Sequence, residues 1–251
     1  MSTLQAGVRR VLLALSGASE ELAAIDAAAE LAAALEAELA ALFVEDVDLI
    51  RACRLPSMWE IGRLSGERRA LAWERTARLL QATARRYEQA LIQAAQARSL
   101  RYTFHVLQGK PLPLLLQQAA NPDVVLLVRR TVHVRGRPRP VVTLFDGSMA
   151  AAAAITVALR VARATDRPCV VLIAAPDPES FRAQAQQVGW AIGSAHDVSL
   201  ERLPEARPDA VAAAANRLRA AALVLPADSV ADLNALERLR ARLNSDLLLV
   251  P

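Results

Sequence analysis

The side chains able to do chemistry are few and scattered. His105, His133 and His196 are the only histidines, and Cys53 and Cys169 the only cysteines. None falls in the HxH, HExxH or CxxC spacing that brings ligands to one face, so no metal centre is expected. Two cysteines also exclude a disulfide scaffold. The chain contains no G-x-S-x-G elbow and no P-loop, so neither an activated serine nor a Walker-type phosphate cradle is expected. One cluster stands out: Arg129, Arg130, Arg135, Arg137 and Arg139 fall within eleven residues that contain no acid. Such a run reads as a solvated linker or as an anion site. Two small-residue turns follow apolar runs, Ser16-Gly17-Ala18-Ser19 and Asp146-Gly147-Ser148. Cys53 reads as a packing residue more readily than as a reactive thiol.

Composition bounds the rest. The 251 residues are 54% hydrophobic and 22% charged, enough for a sizeable core and against disorder. Glycine numbers only 9, and none follows Gly193, so no glycine-rich phosphate loop can lie in the last quarter. A net charge of +4 is too small to imply nucleic acid. No apolar run approaches the roughly 18 residues of a membrane span, and Met1–Gly7 lacks the signal-peptide pattern, so a cytoplasmic protein is expected.

The elements alternate. VRRVLLAL (8–15) reads as a strand, 20–38 as an alanine-rich helix and LAALFV (39–44) as a second strand: a βαβ unit. Residues 45–66 read as a long connection. Trp73, Ala77, Leu80, Ala84, Tyr87, Leu91 and Ala94 make one apolar stripe along a helix over 67–98. Strands follow at 101–107 and 123–128 around a short helix at 111–120. Asp123 and Asp246 begin strands and read as structural.

The pattern then restarts. PVVTLF (140–145), a helix over 149–165 and PCVVLIA (168–174) repeat the opening at a shift of 130 residues, Val11 falling on Val141 and Leu42 on Leu172. Further elements are expected at 178–190, 197–203, 207–219, 221–225, 230–243 and 246–250. The second half has no counterpart of the long helix, and the first half none of the last helix and strand. This predicts domains at 1–137 and 138–251, packed through sheet edges or helices.

VLLALSGASEELAAIDAAAELAAALEAELAALFVED and VVTLFDGSMAAAAAITVALRVARATDRPCVVLIA both resemble the universal stress protein family, as does the closing DLLLVP. The resemblance implies two flavodoxin-like, Rossmann-like parallel-sheet domains in tandem, of the adenine nucleotide α-hydrolase-like class. It also implies a pseudo-dimer within the chain and a further homodimer. Asp146-Gly147-Ser148 matches the family's turn after its first strand, with Ser16 in place of the aspartate in the first half. In nucleotide-binding members the phosphates lie on a loop after the fourth strand, where glycines let backbone N–H groups approach. Here Arg129 and Arg130 begin one such loop and Pro226-Ala227-Asp228-Ser229 forms the other, so the glycine pattern is missing from both. Ser16-Gly17-Ala18-Ser19 is similar to the pyrophosphatase loop of related α-hydrolases, without its second glycine and its aspartate.

The expectation is a non-catalytic regulatory or interaction module without family-type ATP binding. The alternative is a nucleotide-binding or nucleotide-handling protein. No resident cofactor is expected, and ATP or AMP is the ligand to test. Candidate ligand residues are Ser16, Gly17, Arg129 and Arg130, with Asp146, Gly147 and Ser148 in the second half; in the first half the arginines would hold an anion by charge.

Overall fold

The computed structural model describes residues 8–16, 21–53, 55, 59–61, 66, 68–70, 73–119, 123–128, 139–192, 197–230 and 232–251. The first half runs β1 (Arg10–Leu15), α1 (Glu21–Ala34), β2 (Glu38–Asp46), α2 (Val47–Ala52), β3 (Trp59–Ile61), β4 (Arg68–Ala70), α3 (Trp73–Gln96), β5 (Tyr102–Gly109), α4 (Pro111–Gln118) and β6 (Val124–Leu127). The second runs β7 (Val141–Phe145), α5 (Met149–Ala164), β8 (Cys169–Ala174), α6 (Pro178–Ile192), β9 (Val198–Leu203), α7 (Pro208–Arg217), β10 (Ala222–Pro226), α8 (Leu233–Arg242) and β11 (Asp246–Val250).

Among the described residues, nine strands make one sheet in the order β5-β2-β1-β6-β11-β10-β7-β8-β9. Pairing is parallel within each half, and β6 meets β11 antiparallel. The strands therefore form two parallel blocks joined edge to edge, with their carboxyl ends at opposite ends of the sheet. The central strands are apolar along their whole length because both faces are covered. Val11, Leu13, Val141 and Val171 point to one buried layer; Leu12, Leu42, Leu223 and Leu247 point to the other. Helices α1, α3, α5 and α6 cover the first layer, and α4, α7 and α8 the second. The first layer contains residues of both halves, with α1 packed on α5.

The reading of 45–66 as a bare connection needs correction. Asp46 caps α2 by accepting the Asp48 N–H at 2.8 Å, and β3 pairs with β4 as a separate two-stranded ribbon. Three-residue strands are too short to show a period.

The 130-residue shift holds in the hydrogen bonds. Val11 pairs with Leu39 and Val141 with Cys169. After α1, the Ala37 N–H bonds to Ala32 at 2.8 Å with Glu36 at φ +54°; after α5, the Arg167 N–H bonds to Ala162 at 2.9 Å with Asp166 at φ +49°. Ser99 and Arg219 close α3 and α7 in the same way, at φ +53°. Glycine usually occupies this left-handed position. Here the chain uses residues with a Cβ, at about 1–2 kcal/mol each, partly offset by lower entropy in the unfolded state. Glu36→Gly and Arg219→Gly are each expected to stabilise by up to ~1 kcal/mol, raising the thermal midpoint by about 2–4 °C. Asp166→Gly should gain less, because aspartate tolerates this region better. Calorimetry checks the ranking.

Candidate functional site

In each half the chain leaves its first strand in one direction and returns on the other side, so a crevice is expected beyond the carboxyl ends of β1 and β6. One is present: a cavity of about 400 Å³ between the ends of these strands, α4 and α8. Leu13, Leu112, Leu115 and Leu127 line its apolar part; Ser16, Asp46, Asp48, Lys110, Glu237 and Arg240 supply the polar groups.

Each polar group has a local reason for its place. Ser16 follows β1 and is exposed. Asp46 ends β2 and caps α2. Lys110 precedes α4 and lies 3.5 Å from Asp48. Glu237 and Arg240 are one turn apart on α8, which the antiparallel seam carries over from the second half.

The crevice is a poor phosphate cradle. Helix α4 presents its N-terminus there, but Pro111 and Pro113 occupy two of its first three positions. Proline has no N–H, and the Leu114 N–H already reaches the Lys110 carbonyl at 3.2 Å. Of the first three helical positions, only Leu112 has an N–H to offer an anion. The described lining carries three carboxylates, Asp46, Asp48 and Glu237, against two cations, Lys110 and Arg240. This balance disfavours a polyanion.

The residues proposed from sequence are divided between the two halves. Ser16 lines the crevice; Gly17, Arg129 and Arg130 lie outside the described residues. Asp146, Gly147 and Ser148 follow β7, at the opposite end of the sheet. Their polar groups serve the turn: the Asp146 carboxylate accepts the Ser148 N–H at 2.9 Å, and the Ser148 hydroxyl accepts the Ala151 N–H at 3.1 Å, capping α5. Gly147 sits at φ +90°, and a Cβ there would meet nothing within 4 Å. Backbone conformation thus accounts for this glycine. Across from it, the Ser229 hydroxyl donates to the Pro226 carbonyl at 2.7 Å inside the single 3-10 turn that follows β10.

The arginine cluster is corrected at one member. Arg139 donates to the carbonyls of Arg219 at 2.9 Å, Ala220 at 2.6 Å and Asn244 at 3.4 Å. It ties the end of α7 to the approach of β11 and belongs to the framework. Arg135 and Arg137 lie outside the described residues, as do His133 and His196. His105 is exposed on the edge strand β5. Cys53 is buried, its thiol 3.4 Å from the Thr76 hydroxyl. Burial pushes the Cys169 thiol up to about 12, far from a reactive thiolate. Among the described residues, no three potential ligands gather around a metal position, and no helix is long and apolar enough to cross a membrane.

Sequence reasoning missed Asp46, Asp48, Lys110, Glu237 and Arg240. Asp46 had a signal, an acid two residues before another at the end of an apolar strand. Glu237 and Arg240 had none, because their place depends on the seam.

No family model matches the sequence, and no curated protein does. Solved structures match along the whole chain. A universal stress protein from Archaeoglobus fulgidus DSM 4304 superposes with a TM-score of 0.61 at 12% identity, over 96% of this chain and 95% of that one. A protein from Pseudomonas aeruginosa UCBPP-PA14 assigned to the same family gives 0.56 at 16%, over 98% and 94%. The cytoplasmic domain of a prokaryotic cation chloride cotransporter gives 0.53 at 11%, over 96% and 95%. An α/β chain with one large, mostly parallel sheet and helices on both faces, matched end to end by these structures, has the fold of the universal stress proteins.

Proposed function

We propose that the protein is a non-catalytic binding module of two related copies, in which the first copy's crevice takes a small molecule and the second copy supplies part of its wall. The observation that carries this reading is the cavity of about 400 Å³ at the β1/β6 switch, lined by Ser16 and Lys110 from one half and by Arg240 from the other. The corresponding turn of the second half is spent on capping its own helix. Fold alone does not choose a function, since a transporter's cytoplasmic domain shares this architecture.

The lining argues for a ligand of low charge. Three acids against two cations oppose a triphosphate, whereas leucine side chains edged by hydroxyl and carboxylate oxygens suit a nucleoside or its monophosphate. Arg129 and Arg130 directly follow the lining residue Val128 in sequence; in this reading they hold the single phosphate by charge.

The expected result, read by titration calorimetry, is that AMP and adenosine bind and ATP binds no more tightly than AMP. Arg129→Glu is expected to weaken AMP about tenfold, or ~1.4 kcal/mol, and to leave adenosine unchanged. ATP binding tenfold tighter than AMP, or no binding of either nucleoside form at millimolar concentration, overturns the reading. Conversion of ATP to a measurable product would favour a nucleotide-handling enzyme.

A further inference from the structure

The nine-stranded sheet has two free edges, β5 and β9. An edge strand presents unpaired N–H and C=O groups, and proteins usually guard it with charge, proline or a bulge. The β9 edge is guarded. It carries Glu201, paired with Arg217 at 2.6 Å, and Arg202, which donates to the Pro176 carbonyl at 2.9 Å. The β5 edge is not. Its eight residues, YTFHVLQG, include no proline, lysine, arginine, aspartate or glutamate.

The register shows which groups are free. The Leu39 N–H bonds to the Arg101 carbonyl, and Leu39 stands beside Tyr102. Alternate residues bond the neighbour in a parallel pair, so Thr103, His105 and Leu107 direct their backbone groups at β2. Tyr102, Phe104, Val106 and Gln108 turn theirs outwards, and no described strand pairs with them. The side chains of Tyr102, Phe104 and Val106 share the face that α3 covers. Phe104 is partly buried there, while Tyr102 is 41% and Val106 49% exposed.

We propose that two copies of this chain pair antiparallel through β5, about a two-fold axis at Phe104. In that register Tyr102 falls opposite Val106 of the second copy, and by symmetry the pair occurs twice. The exposed apolar side chains of the strand then cover one another, as aromatic and β-branched pairs do across strands. Charge also favours a second copy: a strand without acids or strong bases meets itself with no like charges opposed, and His105 falls opposite Thr103. Spacing is the third reason. Helix α3 packs on both β2 and β5. Two-fold pairing sets the two α3 helices about two strand spacings apart, ~10 Å, which is a helix-packing distance. A lone extended peptide would leave that flank of α3 uncovered. The chain already joins two parallel blocks in this way at its own seam, where Leu126 stands opposite Leu248.

Sedimentation equilibrium of the full chain is expected to give twice the mass of one chain at micromolar concentration. Val106→Lys places a charge where the apolar pair forms, at a position exposed in the single chain. It is expected to weaken self-association at least tenfold and to leave the circular dichroism of the fold unchanged. Ser199→Lys, exposed on β9, is expected to leave the mass as it is. Hydrogen exchange of the unaltered chain reads the backbone directly. The Phe104 and Val106 N–H groups are expected to gain protection from dilute to concentrated protein, and the His105 N–H, bonded within the chain, to keep its protection throughout. A chain that stays single at the highest concentration overturns the proposal. So does a dimer indifferent to Val106→Lys, or exchange at Phe104 that ignores concentration.

Discussion

Replacing Arg9 and Arg10 together by alanine is expected to cost about 3–5 kcal/mol of unfolding free energy, and more than Asp123→Ala does. Asp123 is fully buried just before β6 and faces both guanidinium groups. Arg9 reaches it at 3.2 Å, while Arg10 reaches it at 2.6 Å and also donates to the Gln118 carbonyl at 3.2 Å. The hydrogen bond to Asp123 holds the Arg10 guanidinium above its ordinary value, against the opposing effect of its own desolvation. The two sides of the pair are buried unequally: the side chains of Arg9 and Arg10 are 54% and 26% exposed, that of Asp123 0%. Removing the aspartate leaves cations that turn to water. Removing both arginines takes two cations from a fully buried carboxylate. The asymmetry therefore points one way, with Asp123→Ala costing about 1–3 kcal/mol from lost hydrogen bonds. Arg9→Ala alone should cost least, since an exposed pair is worth about 0–1 kcal/mol. Urea unfolding of the variants gives the ranking. An Asp123→Ala deficit equal to or above that of the double arginine variant would show that the carboxylate is held for another reason.

The reading of Asp123 as structural needed only its place at the head of an apolar run. Much of the fold was legible by the same means. The long-helix stripe puts Ala84, Tyr87, Leu91 and Ala94 in the core, and the 130-residue shift predicts a register that the backbone keeps. These features are local, set by periods of two and 3.6 residues along the chain. What stayed hidden is non-local. DLLLV reads as a strand buried on both faces, but its composition does not say which strands flank it or in which direction. The seam decides that Glu237 and Arg240 reach the first half's crevice. The Asp-Gly-Ser turn shows the converse. Its residues match a ligand-binding pattern, yet the hydrogen bonds commit them to a helix cap. Scarce glycine has a similar double reading: the chain closes four helices without it, so the same composition that removes phosphate loops also leaves strain at helix ends.

Leu248 is where the two halves depend on each other most. It pairs with Val224 of β10 on one side and Leu126 of β6 on the other, and it is 1% exposed. Leu248→Ala is expected to cost about 2–5 kcal/mol through lost burial and the cavity left behind. Leu248→Pro should cost about 3 kcal/mol or more beyond that, because proline removes a ladder donor in a central strand. Against a total of about 5–15 kcal/mol, the proline variant is expected to lose the fold. The informative measurement is on the alanine variant. Trp73 lies in α3 of the first half and Trp190 in α6 of the second. Chains keeping one tryptophan, with Trp59 and the other replaced by phenylalanine, report each half by fluorescence. One sheet and two apolar layers shared by both halves predict coincident urea transitions, and Leu248→Ala should move both midpoints down together. A shift seen at Trp190 alone would mean that the first half holds its structure without β11. The crevice wall supplied by α8 would then be an addition to a self-sufficient fold. A joint shift means instead that whatever binds in the crevice acts on the stability of both halves at once, since a ligand held by the folded chain lowers its free energy as a unit.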